Sequence, residues 1–216
     1  MIDIYFVSLG CDKNLVDSEK MLAILDHAGY RLAQEPEQAD VIVVNTCAFI
    51  HDAKQESIET LLEMAEYKKK GTCKVLIAAG CLAERYKEEI QKEMPEIDGI
   101  IGTTAYDTVA QVVDQTLTGQ TTVSMKELSY IPSGLTDRIR SGAGHVGYLK
   151  IGEGCSKNCS YCAIPSMRGR YRSVPMEELI EEAVKLTTSG VKELILVAQE
   201  TTLYGVELYG EKRLPE

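Results

Sequence analysis

The sequence predicts an α/β protein, with a parallel-sheet domain over residues 1–118, a linker over 119–145 and the opening of a second strand-and-helix unit over 146–216. Up to residue 118, short β-branched runs alternate with longer stretches whose apolar residues recur every three or four positions, the signature of βαβ units. The composition then turns to Gly, Ser, Thr and Pro with few apolar residues, as in Ile131-Pro132-Ser133-Gly134 and Ser141-Gly142-Ala143-Gly144. Periodicity resumes at Val146.

Strands are expected near 2–8, 41–46, 74–79 and, more briefly, 99–102. Between them, Leu15, Met21, Leu22 and Leu25, then Ile58, Leu61, Leu62 and Ala65, follow the spacing of helices with one buried face. A further helix over 106–117 closes the domain. In the second unit a strand over 146–151 leads into a cysteine-rich loop, a helix over 176–188 and a strand over 193–198. Pro175 and Gly190 suit the two ends of that helix. No internal repeat or low-complexity tract is visible.

With 44% hydrophobic and 26% charged residues, the 216-residue chain has the make-up of a soluble globular protein. No apolar run reaches membrane-spanning length and no secretory start is present, so a cytoplasmic protein without membrane contact is expected. Seven cysteines, an odd number, suit thiolate metal sites in a reducing compartment better than disulfides. The net charge of -10 argues against broad attraction to nucleic acid. The local cluster of Lys157, Arg168, Arg170 and Arg172 keeps RNA open as a partner.

Cys11, Cys47 and Cys81 lie far apart in sequence, yet each follows within a few residues of the carboxyl end of an expected strand. In a parallel sheet those ends share one edge, where open α/β folds collect their ligands. Three thiolates therefore converge, with Gly10 and Gly80 allowing tight turns and Asn45 and Thr46 available to hydrogen-bond inorganic sulfur. Cysteines can also simply fill a sheet edge. Cys73 precedes its strand, at the opposite edge, and reads as a bystander.

The second constellation is contiguous: Cys155-Ser156-Lys157-Asn158-Cys159-Ser160-Tyr161-Cys162, a C-x3-C-x2-C array. Gly152, Gly154, Asn158 and Pro165 favour a wrapping loop, and its thiolates are one short of filling a 4Fe-4S cube, which leaves an iron open to chelate something else. Structural zinc is the competing reading. It normally takes four protein ligands, and no fourth cysteine or histidine stands nearby.

At these residues the chain resembles the radical S-adenosylmethionine (SAM) enzymes, whose C-x3-C-x2-C loop follows the first strand of a β/α barrel. The segment Ser8-Leu9-Gly10-Cys11-Asp12-Lys13-Asn14-Leu15-Val16-Asp17-Ser18-Glu19 is similar to the opening of the methylthiotransferase family within that superfamily. Within the family the chain looks most like the RimO branch, which modifies an aspartate of ribosomal protein S-twelve. The tRNA-modifying branch typically has Gln-Met where Asp12-Lys13 stand. Gly169-Arg170-Tyr171-Arg172-Ser173 and Val197-Ala198-Gln199-Glu200-Thr201-Thr202 also resemble segments of that branch. Asp12 replaces a frequent proline, and Val174 stands where arginine is common, which removes any anion contact made there.

The resemblance implies a parallel-sheet methylthiotransferase domain followed by the start of a radical SAM β/α barrel. It implies two 4Fe-4S clusters, one on Cys11, Cys47 and Cys81 and one, binding SAM, on Cys155, Cys159 and Cys162. The second would generate a 5′-deoxyadenosyl radical that removes hydrogen from an aspartyl β-carbon, the first would hold the incoming sulfur, and another SAM would supply the methyl group. Tyr161 matches a position packed near the adenine, and Gln199, ending a barrel strand, is expected to face the cofactor. Arg168, Arg170 and Arg172 are expected to grip a carboxylate of substrate or cofactor, unless they form only a solvated basic loop. Implied partners are ribosomal protein S-twelve or the small ribosomal subunit, and an electron donor such as flavodoxin or ferredoxin. The family's barrel needs more strands than this chain has, so the sequence reads as an amino-terminal fragment, inactive alone. A tRNA methylthiotransferase and a non-enzymatic iron-sulfur or zinc protein are the competing functions.

Overall fold

The computed structural model describes residues 1–132, 137–142 and 144–216. Ser133, Gly134 and Ala143 of the expected linker lie outside the described residues. In chain order the first unit contains β1 (Asp3–Ser8), α1 (Asp12–His27), β2 (Arg31–Leu32), β3 (Val41–Thr46), α2 (His51–Lys70) and β4 (Val75–Gly80). It continues through α3 (Cys81–Arg85), α4 (Lys87–Glu93), β5 (Gly99–Ile101), α5 (Val109–Leu117) and β6 (Thr122–Ser124). The strands form one parallel sheet in the order β2-β1-β3-β4-β5-β6.

The two central strands, β3 and β4, are buried at every position because helices cover both faces. Successive strand residues point to opposite faces, so Ile42 and Val44 join Leu76, Ala78 and the α2 residues Leu61 and Ala65 in one layer. Val41 and Val43 join Val75, Ile77, Met21 and Leu25 of α1, and Val109, Val112 and Val113 of α5 in the other. Each fully buried Val, Leu or Ile contributes about 1.5–3 kcal/mol, so this double-sided packing is the main stabilisation of the first unit.

Several expectations need correction. The segment read as linker supplies β6, which pairs with β5 in the register Gly99↔Thr122 and completes the sheet. Its three residues are too short to show a strand period. The helix expected over 106–117 opens with a 3-10 turn at Tyr106–Thr108. Leu62, expected on the buried face of α2, is 50% exposed. Helix α1 buries more than one face: Asn14 and Ser18 bond the strand ends of the first sheet, while Asp17, Glu19 and Lys20 lie under Arg168, Arg138 and Glu182.

That second unit contains β7 (Val146–Lys150), β8 (Gly152–Glu153), α6 (Ile164–Arg168), β9 (Arg172–Ser173), α7 (Met176–Thr188), β10 (Glu193–Val197) and α8 (Val206–Tyr209). Strands β7 and β10 pair in parallel, and the intervening α7 packs Leu179 and Leu186 against Leu149, Ile151, Val174 and Val191. Val174 thus serves this core. Strands β8 and β9 form a short antiparallel clip.

Asp40, just before β3, ties the sheet edge opposite the cysteines. One carboxylate oxygen accepts from the Asp3 N–H at 3.0 Å and the other from Lys74 Nζ at 2.9 Å. The Asp3 amide first, then Lys74, hold this carboxyl below its ordinary value of 3.8. A depressed acid stabilises the fold above its unfolded pKa, and that contribution is lost as pH falls through the folded value. Asp40→Asn should therefore lower the thermal midpoint at neutral pH and flatten the loss of stability below about pH 4, which thermal melts across pH would read.

Candidate metal centres

Strands β1, β3 and β4 are neighbours, and their register brings Ser8 opposite Asn45 and Thr46 opposite Gly80. The turns carrying Cys11, Cys47 and Cys81 therefore leave one edge of the sheet side by side. Gly10 (φ +89°) and Gly80 (φ +88°) adopt backbone that side chains disfavour. A Cβ on Gly10 would stand 2.6 Å from Cys47 Cβ and 2.9 Å from its Sγ, and one on Gly80 would stand 2.3 Å from Asn45 Oδ1. Both glycines thus allow the close approach of neighbouring cysteine turns. Cys11 occupies the N-cap of the sixteen-residue α1. Cys47 is pinned by the buried Ser57 hydroxyl, which accepts from the Cys47 N–H at 2.9 Å and donates to its carbonyl at 2.8 Å.

The three thiols line a cavity of about 410 Å³ whose further wall includes Met167, Arg168 and Gln199. Among the described residues, no group of three or more His, Cys, Asp or Glu is drawn together as ligands of one metal ion. Thiolates on a four-iron cube bind separate corners and stand further apart than ligands sharing a single ion. Three thiols, roomy walls and a buried guanidinium suit an anionic cluster.

Asn14 binds the turns together. Its Nδ2 donates to the carbonyls of Leu9 and Thr46, each at 2.9 Å, and its Oδ1 accepts from Arg168 Nη2 at 2.5 Å. Asn45 and Thr46, expected to serve inorganic sulfur, serve the frame instead. Asn45 Nδ2 donates to Asn14 O at 3.0 Å and Ser18 Oγ at 2.9 Å, and Thr46 Oγ1 donates to Ala79 O at 2.5 Å. Helix α1 captures the Asn45 amide and the backbone of β4 captures the Thr46 hydroxyl, which commits both groups to the frame.

Arg168, expected on a basic substrate loop, is only 3% exposed. It ends α6, the helix directly after the second cysteine array, and reaches into the first unit. Nη1 donates to Asp17 Oδ2 at 2.7 Å and Glu153 Oε2 at 2.9 Å, and Nε stands 3.4 Å from Cys81 Sγ. Lys150 joins the same group through Asp17 and through Glu153 at 3.0 Å, and its ammonium lies 5.2 Å from the centre of the Tyr106 ring. Two cations face two carboxylates, so the buried charge balances. Burial opposes ionisation of Glu153, but Arg168 and Lys150 hold its carboxyl well below the ordinary range. Burial pushes the Cys81 thiol up, with the charge and N–H of Arg168 pulling against it.

The second array leaves β8 through Gly154 (φ +74°), where a Cβ would meet the Arg170 carbonyl at 2.4 Å. The Cys155 N–H donates to the Gly169 carbonyl and the Cys162 N–H to the Cys159 carbonyl, both at 3.1 Å. Cys155 and Cys162 are half-buried and Cys159 is exposed. Lys157 pairs with Glu200 and, together with Thr202, holds the Glu200 carboxyl down at about 2. Tyr161 is 90% exposed and Arg170 is exposed. Arg172 turns inward, its Nη1 donating to the carbonyls of Arg168 at 3.2 Å and Arg170 at 2.5 Å. Gln199 Nε2 donates to Glu153 Oε1 at 3.0 Å, while its Oε1 is buried without a partner.

Residues 3–102 match the uncharacterized protein family UPF0004, and residues 149–214 match the radical SAM superfamily. Over 99% of its length the chain is 59% identical to ribosomal protein uS12 methylthiotransferase RimO of Lachnoclostridium phytofermentans, covering 48% of that protein. It is 50% identical over its whole length to the protein of that name from Clostridioides difficile, covering 49% of it. The chain belongs to the radical SAM methylthiotransferase family.

It spans about half the length of the curated relatives it matches. A solved structure of the cobalamin-dependent SAM radical enzyme OxsB covers 94% of the chain with a TM-score of 0.51 at 9% identity, and the chain covers 34% of that structure. At that identity the likeness is one of fold. Residue spacing did not single out Asn14, Asp17, Lys150 or Glu153 as parts of the site. The available signal was polar residues at Asn14, Asp17 and Ser18, in helical spacing with the buried apolar positions of α1.

Gly10→Ala should force Cys11 and Cys47 apart and cut iron uptake on anaerobic reconstitution by about half, with the loss confined to the first triad. Asn14→Ala strips partners from two buried carbonyls and from Arg168. Chemical denaturation should show it about 2–4 kcal/mol less stable.

Proposed function

We propose that the protein carries two 4Fe-4S clusters and belongs to an enzyme that methylthiolates the β-carbon of an aspartate in a small-subunit ribosomal protein. The observation that carries this reading is the shared wall of the two sites. The cavity of Cys11, Cys47 and Cys81 is lined on one side by Ile164, Met167 and Arg168 of the helix that directly follows the Cys155, Cys159, Cys162 loop. The relatives named uS12 methylthiotransferase support the substrate, and the Asp12-Lys13 pair after the first cysteine supports it against tRNA.

When bound, the clusters and SAM supply radical hydrogen removal, sulfur and methyl, chemistry that side chains alone do not provide. The chain's own residues hold and orient these groups. Cys155, Cys159 and Cys162 hold a cluster with one coordination site open to SAM, and the exposed Tyr161 offers its ring to the adenine. Cys11, Cys47 and Cys81 hold the cluster that receives sulfur, in a cavity open to solvent whose apolar lining includes Phe49, Ile50, Ile164 and Met167. Arg170 offers an exposed guanidinium to an acidic substrate, and Arg172 shapes the turn beneath it. Gln199, with its unpartnered carbonyl oxygen, faces the first cavity and is placed to orient a group entering it. The reading places the protein in the cytoplasm with a flavodoxin- or ferredoxin-class electron donor. Among the described residues, no helix is long and apolar enough to cross a membrane.

Cys47→Ala should abolish sulfur insertion but leave reductive cleavage of SAM, whereas Cys159→Ala should abolish both. Iron analysis should find about eight irons per chain before substitution and about four after either change. Loss of SAM cleavage in Cys47→Ala at full second-site iron would overturn the division of labour. Zinc in place of iron, with no SAM binding, would leave a structural metal protein. Turnover of tRNA rather than the ribosomal protein would reassign the branch.

A further inference from the structure

We infer that Arg168 is a positioning residue for the first metal centre: its Nε–H on Cys81 and its fixed positive charge set the reduction potential of the cluster held by Cys11, Cys47 and Cys81. The inference rests on the two-cluster reading and goes beyond it, because it makes the second unit contribute to the first unit's site.

Arg168 is fully enclosed, and each edge of its guanidinium has an assigned place. Nη1 binds Asp17 and Glu153, Nη2 binds Asn14, and Nε is left to Cys81 Sγ at 3.4 Å. A side chain fixed on three partners cannot swing away from the fourth. A hydrogen bond to a ligating sulfur, like a nearby cation, favours the more negative reduced cluster and raises its potential.

The donor also arrives by a specific route. Met167 O, one residue earlier, accepts from Thr103 Oγ1 of the first unit at 2.6 Å, while Gly169 O, one residue later, accepts from the Cys155 N–H at 3.1 Å. The segment 167–169 therefore touches both cysteine sites at once. Cys81 gains its donor only when the second unit is docked on the first.

The test uses anaerobically reconstituted protein in which Cys155, Cys159 and Cys162 are all replaced by Ala, so that only the first site loads. Redox titration followed by electron paramagnetic resonance should show the Arg168→Gln midpoint shifted to more negative potential. Arg168→Lys, which keeps the charge but loses the planar fork, should recover part of the shift. A role in folding alone would lower cluster yield and leave the midpoint of the loaded fraction unmoved, and that result overturns the inference. If Arg168→Gln loads no cluster, the parent protein still decides the question. With isotopically labelled guanidinium nitrogens, the reduced cluster should show hyperfine coupling to the label, and its absence overturns the inference. Failure of the parent protein to take up any cluster at the first triad would instead overturn the two-cluster reading.

Discussion

The buried ion group of Arg168, Lys150, Asp17 and Glu153 is the constraint from which the arrangement of the two units follows. Each charge is too costly to bury unpaired, and removing one partner from such a group costs about 3–5 kcal/mol. Asp17 lies on α1 of the first unit, whereas Lys150, Glu153 and Arg168 belong to β7, β8 and α6 of the second. Their charges are satisfied only when the units are pressed together. A second buried group repeats the device further along α1. Arg138 donates from Nε to Glu19 at 3.0 Å and from Nη1 to Glu182 at 2.8 Å, and Lys20 meets Glu182 at 2.9 Å. Helix α1 thus packs its apolar side on the sheet and its charged side on the second unit.

Such groups stabilise less than well-packed apolar contacts of the same volume, but they demand one geometry. That geometry also fixes the loop of Cys155, Cys159 and Cys162 relative to the turns of Cys11, Cys47 and Cys81. The apolar layers of the sheet supply the stability, while the buried charges hold the second unit in register with Cys81. The glycines at positions 10 and 80 complete the arrangement by removing the side chains that would keep neighbouring turns apart.

Much of this was legible along the chain. The strands of the first sheet appear as β-branched runs because both faces are covered, and α7 appears through its apolar spacing and its flanking Pro175 and Gly190. The C-x3-C-x2-C array is legible because its cysteines lie within eight consecutive residues. The convergence of Cys11, Cys47 and Cys81 followed from one rule, that parallel strands share their carboxyl edge. Of the strands of two or three residues, β5 was legible in its apolar run, whereas β2, β6, β8 and β9 were not, since they are too short to carry a period and exist through pairing with distant partners. Arg168 was misplaced for a related reason. In sequence it is one of several arginines in a basic stretch, and nothing local separates the one that reaches the first unit from those that stay within their own loop.

The sequence by itself determined the alternation of strands and helices, the two sets of cysteines and the family, because these depend on periodicity, spacing and residue type. Only the tertiary structure decided the order of strands, the burial of charge on α1 and the meeting of Arg168 with Cys81. Those depend on residues up to 162 positions apart, as in the Lys20 to Glu182 bond. A buried charge selects its partners by proximity in the folded chain, and sequence order does not record that proximity.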